Sequence, residues 1–103
     1  MTEYAAKRSA DRCPTHPGAV LREDVIPATR RTKTEIAEML GISRQHLHDI
    51  LGEKKPMSPE IAVRVAALFG GSAGTWVRMQ GAYDTWHAEQ NVDVSKIRLL
   101  EVA

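Results

Sequence analysis

With one cysteine in 103 residues, Cys13, the chain cannot form an internal disulfide, and a reducing compartment is the simpler expectation. Long apolar runs are also missing. No stretch approaches the roughly 20 consecutive apolar residues that a membrane-spanning helix needs, and the opening MTEYAAKRSADRCPTHPG lacks the apolar centre of a secretory signal. A cytoplasmic protein with no membrane partner is expected. Net charge is nearly absent, at +1 with a pI of about 8.0. Any attraction to nucleic acid must therefore come from a local patch. No glycine-rich phosphate loop precedes a helix, so nucleotide hydrolysis has no support.

Clustered metal ligands are absent as well. His46 and His48 are two residues apart on a helix, which points them about 200 degrees apart and away from a shared ion. His16 and His87 read as isolated surface or interface histidines. Ser43, His48 and Asp49 do not form a triad, because Ser43 is needed as a helix cap and the two neighbours diverge. An enzyme is not expected, and no metal or other cofactor is implied.

What remains is ordinary globular composition, 43% hydrophobic and 26% charged, at a length suited to one core. Residues 1–15 are polar, have no repeating apolar face and end near Pro14, and so are expected to form a flexible N-terminal arm. Pro17 can open a first helix over about 17–26, with Val20, Leu21 and Val25 on one face and Pro27 as its stop. Thr32 and Glu35 spell a capping box for a second helix over about 33–40, with Ile36, Ala37 and Leu40 inward and Gly41 at its end. Ser43 caps a third over about 44–51, whose inner stripe is Leu47, Ile50 and Leu51.

Ser58, Pro59 and Glu60 begin a fourth helix, with Ile61, Ala62, Val65, Ala66 and Phe69 inward. Ser72 caps a fifth over about 73–89, where Trp76, Met79, Tyr83 and Trp86 recur at helical spacing. The closing VDVSKIRLLEV suits either an extended edge segment or a short helix. Between the second and third helices only Gly41, Ile42 and Ser43 intervene. A glycine turn with Ile42 as a plug and small Ala37 at the crossing is the pattern of a helix-turn-helix.

Away from its inner stripe, the third helix presents Gln45 and Asp49 with His48 beside them, flanked by Arg44 and His46. In a major groove, Arg44 suits guanine and Gln45 suits adenine, each bidentately, while Asp49 suits a cytosine amino group or the orienting of a neighbour. Arg30, Arg31, Lys33 and Thr34 on one side, and Lys54 and Lys55 on the other, are placed for phosphates. This is the local patch that the net charge conceals. Asp84, Glu89, Asp93 and Glu101 gather toward the C-terminal end, which is expected to point away from a duplex.

These residues also carry a resemblance. TEIAEMLGISRQHLHDIL resembles the helix-turn-helix of Xre-like transcriptional repressors. HPGAVLRED before it, with SPEIAVRVAALFG and TWVRMQGAYDTW after it, is similar to HigA-type antitoxins. The similarity runs over residues 16–89. It implies an all-α, five-helix, lambda-repressor-like helix-turn-helix domain over 16–89, with 90–103 as a C-terminal tail at a candidate dimer interface.

It further implies an antitoxin that neutralises a HigB-type, RelE-like ribonuclease toxin and, as a homodimer, represses its own operon by binding double-stranded operator DNA. The family's DNA contacts fall on Lys33, Ser43, Arg44, Gln45, His46 and Asp49, with Lys54 near the backbone. Three departures stand out. Gly52-Glu53 replaces a common Asn-Gly and puts an acid near expected phosphates, Lys33 replaces a frequent glutamine, and Ala73-Gly74-Thr75 replaces Pro-Glu-Phe, which predicts a frayed start to the fifth helix.

Trp76, Met79, Gln80, Tyr83 and Trp86 are the candidate dimer seam, the alternative being that this aromatic face packs on the chain's own first and fourth helices. The N-terminal arm and first helix are candidates for toxin contact. A free-standing repressor without a toxin, and a protein-only adaptor with a vestigial helix-turn-helix, are the competing readings.

Overall fold

Thr32 and Glu35 do exchange the two hydrogen bonds of a capping box in the computed structural model, which describes residues 12–102. The Glu35 N–H donates to Thr32 Oγ1 at 3.1 Å, and the Thr32 N–H donates to Glu35 Oε1 at 2.9 Å. Two of the orphan donors at a helix start are thereby satisfied from within four residues of chain. The helix they open, α2, spans Lys33–Leu40, and α3 spans Arg44–Leu51. Before them lies α1, built from the consecutive segments Pro17–Val20, Leu21–Val25 and Ile26–Thr29; after them come α4, Pro59–Phe69, and α5, Ala73–Asn91. Five helices and no strand make up the described residues, as an all-α helix-turn-helix domain requires.

The first helix does not stop at Pro27 as its sequence predicts. Its middle segment, Leu21–Val25, is a π-helical turn, in which the Ile26 N–H bonds back to the Leu21 carbonyl. Such a turn holds one residue more than an α-turn. Pro27, with no N–H to lose, then falls in the first turn of the next segment. The extra residue also brings Ile26 to the inner side with Leu21, at 6% and 1% exposure. Arg30 ends the helix in the left-handed region at φ 58, donating its N–H to the Pro27 carbonyl at 3.2 Å.

The core is aliphatic. Leu21, Ile36, Leu40, Leu47, Ile50 and Val65 are all buried, with Met57 from the α3–α4 loop among them. Ala37 and Ala62 give the helices room to approach, and Ile42, Leu68, Phe69 and Trp76 close over the edge. α1 meets α3 at closest range at Gly18, where an added Cβ would lie only 1.9 Å from the Ile50 carbonyl oxygen. Glycine is therefore required there by space rather than by dihedral angle.

Gly41 is required by its dihedral angle instead. Its φ is 74, in the left-handed region, while the nearest atom a Cβ would meet is the mobile end of Arg64, Nη1 at 2.8 Å. The turn into α3 is sealed when the Ile42 N–H bonds to the Ala37 carbonyl at 3.1 Å.

At its start α5 is formed rather than frayed. Ser72 Oγ accepts from the Gly74 N–H at 3.1 Å, and helix begins at Ala73. A side-chain cap thus replaces whatever rigidity Pro-Glu-Phe would supply. Beyond Asn91 the short helix is not realised: residues 92–102 form no helix and no paired strand, the backbone leaves α5 extended at Val92, and a turn is closed by the Ile97 N–H on the Val94 carbonyl. Val92, Val94, Ile97, Leu99, Leu100 and Val102 are left 59% to 93% exposed. Most of the N-terminal arm, residues 1–11, lies outside the described residues.

Candidate nucleic-acid interface

α3 starts where Ser43 Oγ accepts the His46 N–H at 3.0 Å, and the inner positions Leu47, Ile50 and Leu51 bury its other side. With that side fixed, Arg44, Gln45 and His48 have to face outward, and they are exposed. The start of α2 stands across from them. Lys33 and Thr34 join Arg44, Gln45 and His48 around one open cleft of about 440 Å³. Five of the residues picked out by sequence for base and backbone contact thus share a single concavity. The first residues of both helices, Lys33, Thr34, Arg44 and Gln45, line it, and the positive end of a helix dipole favours an anionic neighbour.

Gln45 Nε2 donates to Asp49 Oδ1 at 2.9 Å, and Lys55 Nζ lies 3.7 Å from Asp49 Oδ2. His46 is half-buried beside the cap, Ser43 is exposed, and Lys54 is exposed past the end of α3. Arg30 and Arg31 do not line the cleft; Arg31 pairs with Glu35 at 3.5 Å on the surface. Hydrogen bonding from the Thr32 backbone and hydroxyl, aided by Arg31, holds the Glu35 carboxyl below its ordinary range.

Glu53, the acid expected near phosphates, is paired within the chain. It adopts φ 62, and its carboxylate accepts from Arg22 Nη1 at 3.2 Å. The same Nη1 donates to the Leu51 carbonyl at 2.6 Å, while Nε reaches Glu23 at 2.7 Å. Arg22 thereby satisfies the open C-terminal end of α3 and absorbs the misplaced charge at once. Arg64 does the like for α2, donating to the Leu40 carbonyl at 3.0 Å. Neither arginine is recognisable from local pattern as a helix cap, although Leu21-Arg22-Glu23 stands out by resemblance.

His16 is a correction. It is buried, 3% exposed, and not a surface or interface group. Its Nδ1 accepts the Gly18 N–H at 2.8 Å, so it is the N-cap of α1. Burial lowers its pKa below 6.5, opposed by Glu53 and Asp84. Nor is His87 isolated: Tyr83 packs edge-on against His16 at 4.8 Å and tilted against His87 at 4.4 Å.

Gln80 is likewise turned inward rather than toward a seam. It is 6% exposed, accepts the Met57 N–H at 2.7 Å and donates to Asp84 at 2.9 Å. Of the aromatic face, Trp76 packs on the chain's own core, and Met79, Tyr83 and Trp86 are each half-buried. Among the described residues no group of three or more His, Cys, Asp or Glu is arranged to hold a metal, and no helix is long and apolar enough to cross a membrane.

A glycine elbow, a buried inner stripe and an outward polar face beside a second helix start define an Xre-like helix-turn-helix domain. No family model matches the chain. Curated proteins do match. Virulence-associated protein I of Dichelobacter nodosus is 34% identical over 76 residues, 74% of this chain and 70% of that protein. The HTH-type transcriptional regulator YbaQ of Escherichia coli is 28% identical, over 82% of this chain and 75% of its own length.

Among solved structures, a Pseudomonas aeruginosa protein in complex with its 28-base-pair operator DNA superposes with a TM-score of 0.71 at 28% identity, covering 75% of this chain and 85% of its own. A HigA-family antidote protein from Coxiella burnetii gives 0.76 at 25%, over 87% of this chain and 100% of its own. The chain belongs to the HigA-type antitoxins of the Xre-like helix-turn-helix family.

Proposed function

We propose that this protein binds double-stranded operator DNA as a homodimer, represses its own operon, and neutralises a HigB-type, RelE-like ribonuclease toxin in the cytoplasm. The observation that carries the DNA reading is the convergence of Lys33, Thr34, Arg44, Gln45 and His48 on one cleft. In this reading α3 enters the major groove. Arg44 and Gln45 address base edges with His46, His48 and Asp49 beside them, and Lys33, Thr34, Ser43, Lys54 and the α2 start hold phosphates. Arg30 and Arg31, set to one side, and Lys55, drawn to Asp49, take secondary parts.

A dimer is favoured on two counts. One recognition helix reads few base pairs, at roughly 1 to 3 kcal/mol each, and a second half-site about 34 Å away supplies the rest. The row from Val92 to Val102 leaves six large apolar residues 59% to 93% exposed within eleven positions, a concentration of the kind that marks interaction sites. Together with Met79, Tyr83 and Trp86 it forms the proposed seam, from which buried Gln80 is withdrawn.

Toxin binding is supported by family membership, and α1 with the arm lies outside the groove-reading unit. Because YbaQ-like relatives are described as transcriptional regulators, a free-standing repressor is the second reading. Co-expression with the product of the adjacent gene, followed by mass measurement of the purified species, separates the two. A complex containing a small basic partner is expected; a homodimer alone that still shifts its own promoter fragment would favour the repressor.

A further inference from the structure

We propose that Asp49 is a positioning residue that turns Gln45 into a reader of adenine and not of guanine. This rests on the reading of α3 as the groove-entering helix. The Gln45 amide is exposed and could rotate freely about its last bond, presenting either its oxygen or its nitrogen outward. Asp49 removes that freedom. An ionised carboxylate only accepts hydrogen bonds, so it selects the NH₂ end, and the contact is 2.9 Å from Gln45 Nε2 to Asp49 Oδ1.

The carboxylate is itself held. Its side chain is only 16% exposed, with Lys55 Nζ 3.7 Å from Oδ2. The Asp49 backbone carbonyl takes the N–H groups of Lys54 at 2.8 Å and Lys55 at 3.2 Å, which ties the end of α3 to the loop carrying that lysine.

The consequence follows from counting hydrogens. A free glutamine can turn both Nε2 hydrogens to the two acceptors of guanine, N7 and O6. With one hydrogen committed to Asp49, a single donor and the adjacent Oε1 acceptor are left facing out. That pair matches adenine, which offers N7 as acceptor and N6–H as donor. Against guanine, Oε1 would meet the O6 oxygen, an acceptor facing an acceptor. Asp49 therefore contributes specificity by subtraction, without touching DNA.

The test is selection from a randomised duplex library, followed by titration of the best duplex and its single-base adenine-to-guanine variant. The wild-type protein should prefer adenine at one position of each half-site by the roughly 5- to 150-fold of a bidentate contact. Asp49→Ala and Asp49→Leu, which remove the acceptor with different volumes, should each bring that ratio to about twofold or less while the other positions keep their preferences.

Asp49→Asn, whose amide oxygen still accepts, should restore most of the ratio. A role of charge alone predicts that it behaves like alanine. In a Gln45→Met background, adding Asp49→Ala should change nothing more at that base pair. An Asp49 effect that persists without Gln45 would mean that the carboxylate reads a base itself, and would overturn the proposal. So would an unchanged adenine-to-guanine ratio in the folded Asp49 variants. If the wild-type protein enriches no sequence at all, the groove reading fails first, which is a separate result.

Discussion

The α2–α3 elbow and the segment after Asn91 are opposites in one chain. In the elbow every helix end is met by a partner: Thr32 and Ser43 at the starts, Arg64 and Arg22 at the carbonyl ends. Its inward apolar residues are buried within the subunit. The tail has as many branched apolar residues and buries none of them. The elbow is complete as a single chain, and what it leaves exposed is chiefly polar and aimed outward. The tail leaves its large apolar side chains exposed, the feature on which its proposed part in a dimer rests. The proposed function accordingly gives DNA recognition to the elbow and assembly to the tail.

The sharpest way to break this contrast is at Gly18. Gly18→Ala puts a methyl group into the Ile50 carbonyl, so either α1 or α3 must move. A loss of about 3 kcal/mol or more is expected, read as a lower midpoint in urea unfolding. Little loss would show that α1 is not packed on α3 as described.

Truncation after Val92 should do the reverse. At concentrations where the protein is monomeric, the unfolding free energy should change by less than about 0.5 kcal/mol, since nothing buried is removed. Self-association in sedimentation and affinity for a two-half-site duplex should fall together. A truncated chain that still dimerises would move the seam wholly onto α5.

A smaller effect belongs to His16. Its pKa in the folded chain lies below the ordinary 6.5 because the ring is buried. As pH falls below about 6.5 the unfolded chain takes up this proton first, so the unfolded state gains. Stability is complete above that pH, is lost as pH drops toward the lower folded value, and levels off beneath it. His16→Asn keeps an N-cap that does not titrate and should flatten the stability profile in that window. An unchanged slope would assign the loss to other groups.

Much of the elbow was legible because its chemistry is local. The capping box, the Ser43 and Ser58 caps and the left-handed Gly41 each involve residues within a few positions of one another. The cleft residues were legible for the same reason: once Leu47, Ile50 and Leu51 face inward, Arg44, Gln45 and His48 have nowhere else to point. Long-range partners were not. Arg22 with Leu51, Arg64 with Leu40 and Gln80 with Met57 pair across more than twenty residues, and no periodicity marks such pairs. Pro27 misled because a π-helical turn ahead of it absorbed the break. Glu53 is likewise illegible locally, because the Arg22 that pairs with it lies 31 residues earlier in the chain.

The central claim is that α3 reads bases with Gln45 while lysines beside it hold the backbone. Equilibrium binding of the wild-type protein, Gln45→Ala and Lys54→Ala to the selected duplex and to a scrambled one, across a range of salt concentrations, tests it most directly. Gln45→Ala should lose affinity for the selected duplex alone. Lys54→Ala should weaken both duplexes alike and make the salt dependence shallower by about one unit of logarithmic slope for each phosphate that is no longer neutralised. Equal losses on both duplexes for Gln45→Ala would contradict the account.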